Sequence, residues 1–383
     1  MRTNAEQSEL REKDDERERF GGRNIAANSH WRQAASGIQN GHGAQAASGA
    51  QTDGGIPMIN VNEAGLSRRE FVGAGLTAMG GLALGWPVCR AMGQAVDPGR
   101  LRRSPVVQVR SPELVTLHGI HEDLLADLLD VALRRLTGLD DLKEAWSRFI
   151  KPDDVVALKF DSTGSQAPAS TPTLLAVLAR SLEKAGLKRN QIVAVDVTAE
   201  LAAEVGVQAA RWGWTEGEFD FGSGRDRLAV WLEDVSAIIN VPLLMSHNIT
   251  GLAGCLVNLA YSVVKHPAVA FGTDGSPYVA DIVALPVIRE KLRLNLVNGF
   301  QIVFDGGPVV REGSTWDAGI LLASPDPVAA DVVGLYLLNE GRSRVGLPPI
   351  GGKSSDVAYL RHASEAGLGV SEMYQLELSK FKL

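Results

Sequence analysis

Neutral imidazole is a common metal ligand and the side chain best suited to proton transfer near neutral pH. His247 follows an apolar run that ends at Val241, with Pro242 between them. Two carboxylates stand after other apolar runs, Asp305 in Asp305-Gly306-Gly307-Pro308 and Asp326 in Ser324-Pro325-Asp326-Pro327. With either of them, His247 would make an acid–base pair or a mixed nitrogen and oxygen site for a divalent metal. Ligands drawn from separate loops carry no diagnostic spacing, so each residue also has a plainer role. His247 can orient the loop after Pro242 by bonding backbone carbonyls. Asp305 can close an Asx-turn whose glycines permit positive φ, and Asp326 suits a helix N-cap before Pro327. Asp331, one turn into that helix, either complements the macrodipole or points at a ligand. Asn258 either binds a ligand or bonds neighbouring backbone.

Chemistry of this kind needs a scaffold that gathers loops. From Arg100 onward, short β-branched runs alternate with helical periodicity, the pattern of βαβ construction. Strands are expected at Val106–Val109, Val155–Phe160, Ile192–Val197, Ala237–Val241, Leu292–Phe304 and Gly319–Ala323. Helices are expected over His121–Leu136, from Thr171-Pro172 to Gly186, and over Val328–Leu338 after an Asp326-Pro327 start. Most of the strands are continuous apolar runs, which suits a mostly parallel central sheet flanked by helices on both faces. Open α/β sheets bind ligands beyond the carboxyl ends of their strands. Asp161, Asp196, Thr198, His247, Asp305 and Asp326 all fall at such positions, so Asp161, His247, Asp305 and Asp326 are expected to converge on one crevice.

Several tempting signals are set aside by pattern. No Gly-x-Gly-x-x-Gly fingerprint follows the first strand and no Gly-x-Ser-x-Gly elbow occurs. Gly352-Lys353-Ser354 ends like a phosphate loop, but Leu347 stands where its first glycine is required. Residues 1–95 hold ten basic and ten acidic residues, so the net charge of -7 belongs wholly to the remainder. A mildly acidic body argues against a nucleic-acid partner, which clustered Lys and Arg would serve.

The first 57 residues are polar, charge-mixed and poor in bulky apolar side chains, the composition of a disordered tail, or of a segment left untranslated if Met58 is the start. Residues 58–95 read as a cleavable export signal: Ser67-Arg68-Arg69-Glu70-Phe71, a weakly apolar stretch with five glycines from Gly73 to Gly85, then small residues near Ala95. This arrangement resembles a twin-arginine translocation signal. The resemblance implies the twin-arginine machinery as a partner, a periplasmic or otherwise exported location, and passage in the folded state with any cofactor loaded. No later segment is long and apolar enough to span a membrane. Cys89 falls in the signal, so Cys255 alone remains after cleavage. The chain by itself cannot ligate an iron–sulfur cluster, which takes about four thiolates.

The third segment, 96–383, carries a family resemblance. Ile238-Ile239-Asn240-Val241-Pro242, Ser246-His247, Thr250-Gly251 and Asn258-Leu259 resemble the central motif of the domain-of-unknown-function 362 family. Asp305-Gly306-Gly307-Pro308 and Ser324-Pro325-Asp326-Pro327-Val328-Ala329-Ala330-Asp331 resemble its two later motifs, in family order, within a span from Val155 to Gly369. The resemblance implies an α/β fold, sometimes accompanied by iron–sulfur modules and hence a redox partner, and supplies no reaction. Two motif positions often occupied by lysine are Met245 and Val257 here, while Lys159 remains as a cation expected to face the crevice. Two functions follow as expectations. One is an exported metal- or cofactor-dependent enzyme or redox accessory, with His247 and Asp305 as catalytic or metal-binding residues and Lys159, Asp161, Asn258, Asp326 and Asp331 as ligand-binding ones. The other is a non-catalytic ligand-binding or assembly protein.

Overall fold

The structure, a computed structural model, describes residues 103–161, 170–268, 274–351 and 356–383. The expected tail and export signal, with Arg68 and Arg69, lie outside the described residues, as does Gly352-Lys353-Ser354.

Ten strands form the central sheet: β1 (Ser104–Arg110), β2 (Val156–Phe160), β3 (Ile192–Val195), β4 (Gln208–Ala209), β5 (Ala237–Val241), β6 (Leu243–His247), β7 (Gly251–Ala253), β8 (Leu292–Val303), β9 (Thr315–Ser324) and β10 (Leu376–Lys382). Their order is β10-β1-β9-β8-β5-β2-β3-β4, with β6 on the far half of β8 and β7 paired to β6. Strands β8, β5, β2, β3 and β4 run parallel, and β9 runs antiparallel to both of its neighbours. Every residue of β2 and β5 is buried, as continuous apolar runs require when both sheet faces are covered.

The strands' alternation splits the core in two. Val156, Leu158, Phe160, Ile239 and Val241 face a layer of α1 (Glu122–Thr137), α2 (Leu142–Trp146), α3 (Ser170–Ala185) and α4 (Ala199–Val205). Ala157 and Ile238 face a layer of α5 (Cys255–Val263), α6 (Tyr278–Ala284), α7 (Pro327–Arg344) and α8 (Ala358–Glu365). Helix α1 packs Leu125, Leu128, Leu129, Ala132 and Leu133, starts under the His121 imidazole as cap and stops at Gly138 with φ 70°. Because α3 leaves β2 on one face and α5 lies on the other, the gap between the carboxyl ends of β2 and β5 is a topological switch point. Among the described residues, no helix is long and apolar enough to cross a membrane.

Two features depart from the sequence expectation. Leu243–His247 is a fully buried strand rather than a loop. Proline discourages a strand assignment because it lacks a donor, yet the Pro242 carbonyl accepts from Asn298 N at 2.8 Å and the chain then resumes pairing along the long β8. The second is the expected single crevice, which divides. Strand β9 is antiparallel, so Asp326 beyond it lies at the opposite rim from Asp161. Asn295 of β8 is level with Lys159 through Asn240, and Asp305 lies ten residues further on, about 30 Å of strand.

Candidate functional site

Lys159, Asn240 and Asn295 interrupt the apolar runs of β2, β5 and β8 at one level of the sheet, and all three are fully buried. Polar groups so placed need partners, and these supply one another. Asn295 Nδ2 donates to Ser324 O (3.2 Å), Asn240 Nδ2 to Asn295 Oδ1 (3.0 Å), and Asn258 Nδ2 to Asn240 Oδ1 (2.8 Å). Lys159 Nζ then donates to Asn258 Oδ1 (2.6 Å) and Phe160 O (2.8 Å) and lies 3.0 Å from Asp196 Oδ2. Every amide donates in the same direction, so the dipoles reinforce one another in a low-dielectric setting.

The ladder crosses the switch point and ends beside it, at the carboxyl end of β3. An ammonium has three donors, and three oxygens surround Lys159 Nζ, so it underlies the crevice and fixes Asp196 rather than reaching outward. Asp196 follows β3 with φ 60°, in the left-handed region that costs a non-glycine residue free energy. Its side chain keeps 21% of its surface exposed. Tyr261, two turns along α5, has its phenol pKa raised by burial and then by the Asp196 charge, so it stays protonated. Asp161 is half-buried at the same rim, directly after β2. The arrangement offers a held carboxylate as proton acceptor beside a protonated phenol.

His247 ends β6 elsewhere, 3% exposed. Its Nδ1 accepts from Thr250 N (3.2 Å) and lies 3.0 Å from Thr250 Oγ1, which places the ring proton on Nε2. Burial lowers its pKa to about 4, so it is neutral at physiological pH. The register of β6 on β8 sets Met245 beside Val303, bringing His247 and Asp305 to the ends of neighbouring parallel strands. Asp305 is paired there with Arg342 Nη1 at 2.7 Å. Its turn locks onto β6, with Gly307 N donating to Ser246 Oγ (3.2 Å) and Asn248 N to Gly307 O (3.2 Å). A Cβ on Gly307 would fall inside contact distance of the Ser246 carbonyl oxygen. Gly307→Ala is therefore expected to pry the turn from β6 and destabilise the fold by about 1–3 kcal/mol, as overpacking does. Unfolding midpoints in urea check this; an unchanged midpoint would show that the turn relaxes freely.

The later motif supplies joints. Asp326 caps α7 by accepting from Ala329 N (2.8 Å), and also receives Ser104 Oγ (2.5 Å) and Val370 N (3.1 Å). Burial raises its pKa against the pull of those donors. Asp331, 2% exposed, accepts from Cys255 N (2.5 Å) and Leu256 N (3.2 Å), capping α5 from a different helix. Burial lifts its pKa to about 7. A side chain on Gly254 would collide with that carboxylate. Asp331 thus sets the start of the helix that carries Asn258 and Tyr261. Cys255 is a buried free thiol. Among the described residues, no group of three or more His, Cys, Asp or Glu could hold a metal ion.

Sequence reasoning expected Asp161, His247, Asp305 and Asp326 together, of which the structure brings His247 and Asp305 to neighbouring strand ends; it missed the Asn240–Asn295 rungs and the pairing of Lys159 with Asp196. The signal was present in part, as one polar residue inside each of the apolar runs of β2 and β5.

A mixed α/β protein with a buried polar ladder that ends at the carboxyl ends of β2 and β3 is the class that fold and geometry define. The family model described as domain of unknown function (DUF362) matches residues 214–336. That span holds all three motifs but is narrower than Val155 to Gly369, and leaves Lys159, Asp161 and Asp196 outside it. No curated protein matches the chain.

Proposed function

We propose that this is an exported enzyme acting by proton transfer on a small hydroxyl- or carbonyl-bearing molecule at the carboxyl ends of β2 and β3. One observation carries it: Asp196, on left-handed backbone, is held by a buried ammonium beside a protonated phenol while part of its surface stays open. Strained, charged and partly open groups beside a switch point are better suited to ligands than to packing. Asp196 is the base, Tyr261 the acid, and Lys159 and Asn258 position Asp196 and α5. Asp161 adds a second carboxylate to the rim.

Export rests on Ser67-Arg68-Arg69-Glu70-Phe71 and the glycine-broken apolar stretch that follows, which would direct the folded protein to the twin-arginine machinery and the periplasm. A resident divalent metal would draw on His247 and Asp305, and Arg342 would have to release Asp305 for it.

Proton NMR in D2O on a panel of 2-keto acids, hydroxy acids and ketoses tests the reading. Wild type is expected to catalyse hydrogen exchange next to the carbonyl for one class, and Asp196→Asn to lose at least about a hundredfold of that rate. Saturable binding without exchange would favour the non-catalytic ligand-binding alternative. Neither binding nor exchange with any class would overturn the site.

A further inference from the structure

The turn before α6 presents a hydroxyl in a way that packing does not require. Asp274 has φ 55° and Gly275 φ 80°, two consecutive left-handed residues directly before Ser276. Gly275 is demanded twice, by its φ and because a Cβ there would come within 2.7 Å of Thr250 Cγ2. Thr250 is in turn tied to His247, so the turn is braced from behind.

Ser276 Oγ hydrogen-bonds to Nδ1 of His362, which lies on α8, 86 residues away in sequence. On the other side of the ring, His362 Nε2 lies 4.0 Å from Glu365 Oε2. The Ser276 side is nearly covered, at 9% exposed, whereas the His362 side chain is 35% and Glu365 62% exposed. A hydroxyl, an imidazole and a carboxylate thus stand in sequence, opening to solvent at the imidazole.

We infer that Ser276 is a nucleophile with His362 as its general base and Glu365 as the group that favours the resulting imidazolium, acting on small acyl esters. This follows the logic by which a hydroxyl is activated by an adjacent base that a third group orients, with the two ring nitrogens exchanging their more familiar parts. Ser276 Oγ attacks the ester carbonyl carbon as its proton passes to His362 Nδ1. The tetrahedral intermediate expels the alkoxide, which takes that proton and leaves as an alcohol, with the acyl group on Oγ. Water then attacks the acyl carbon while giving a proton to Nδ1. The Ser276 oxygen departs, recovers the proton, and the carboxylic acid is released.

A fluorophosphonate probe applied to the purified full chain reads the nucleophile directly, because it forms an Oγ–P bond and releases fluoride. Intact mass and peptide mapping are expected to place one adduct on Ser276, absent from Ser276→Ala. Labelling of His362→Gln, with its fold verified by circular dichroism, is expected to be slowed at least about a hundredfold. Hydrolysis of p-nitrophenyl acetate should fall in parallel. An unlabelled Ser276 in folded wild type would overturn the inference, as would labelling undiminished in His362→Gln. These readouts do not depend on Asp196, so the inference and the proton-transfer reading stand or fall separately.

Discussion

Lys159→Met is expected to lower folding stability by about 3–5 kcal/mol, the cost of removing one partner from a buried ion pair. Methionine fills the volume of the lysine stem but donates nothing. Asn258 Oδ1 and Phe160 O, which take 2.6 Å and 2.8 Å bonds from the ammonium, would be left as buried acceptors without a donor. Asp196 would lose the cation that offsets its charge and its left-handed backbone. Because each amide in the ladder is oriented by the one before it, the damage should reach Asn240 and Asn295 rather than stop at the vacated position. Urea unfolding of wild type, Lys159→Met, Asp196→Asn and the double variant gives the coupling energy. Strong coupling between the two changes is expected; additive losses would mean that Asp196 is held by its backbone alone.

The second large effect concerns pH. Burial lifts the Asp331 carboxyl to about 7, against the N–H groups of Cys255 and Leu256 that favour its ionised form. Between its ordinary value near 3.8 and about 7, the folded protein keeps a proton that the unfolded chain has shed. Its contribution is therefore present in full at low pH and is lost as pH rises through that window. The groups against it, Cys255 and Tyr359, have pKa values raised well above their ordinary ones and stay neutral there. His247 behaves oppositely. Lowered from 6.5 to about 4, it is neutral when folded while the unfolded chain binds a proton, so stability is lost as pH falls from about 6.5 to about 4. Each slope reaches about 1.4 kcal/mol per pH unit, and between pH 4.5 and 6 they oppose one another. Asp326, raised by burial, adds to the Asp331 direction.

Asp331→Asn should therefore expose the His247 slope, with stability rising with pH from 4.5 to 6. His247→Gln should expose the carboxyl slope, with stability falling over the same range. Urea midpoints measured across pH 4.5–7.5 for the three proteins decide the matter, and parallel curves would contradict both assignments. The absolute loss in Asp331→Asn is a separate observable, because an amide accepts from one N–H at the start of α5 and presents its own donor to the other.

The six expected strands are present, with ends within a few residues of the described ones, because continuous apolar runs bounded by Gly, Pro and Asp carry their own signal. The starts of α1 and α7 were equally legible, since an N-cap bond is made within four residues. The C-terminal strand β10 was missed because Leu376-Glu377-Leu378-Ser379-Lys380-Phe381-Lys382 alternates like a surface segment, and only its parallel pairing with β1 makes it part of the sheet.

The sequence alone thus determined the α/β class, the parallel centre of the sheet, the Asp326 cap and the motif residues that the family model also spans. Those features depend on periodicity, local bonds and residue type, all readable along the chain. Tertiary structure decided that β9 runs antiparallel, which sends Asp326 to one rim and Asp161 to the other, and that β8 continues about 30 Å past Lys159 to Asp305. It decided that Asp331 caps a helix 76 residues earlier and that Lys159 donates to Phe160 and Asn258 and forms an ion pair with Asp196. Strand direction and the partner of a buried charge are set by which surfaces meet when the chain closes on itself. No local pattern encodes them.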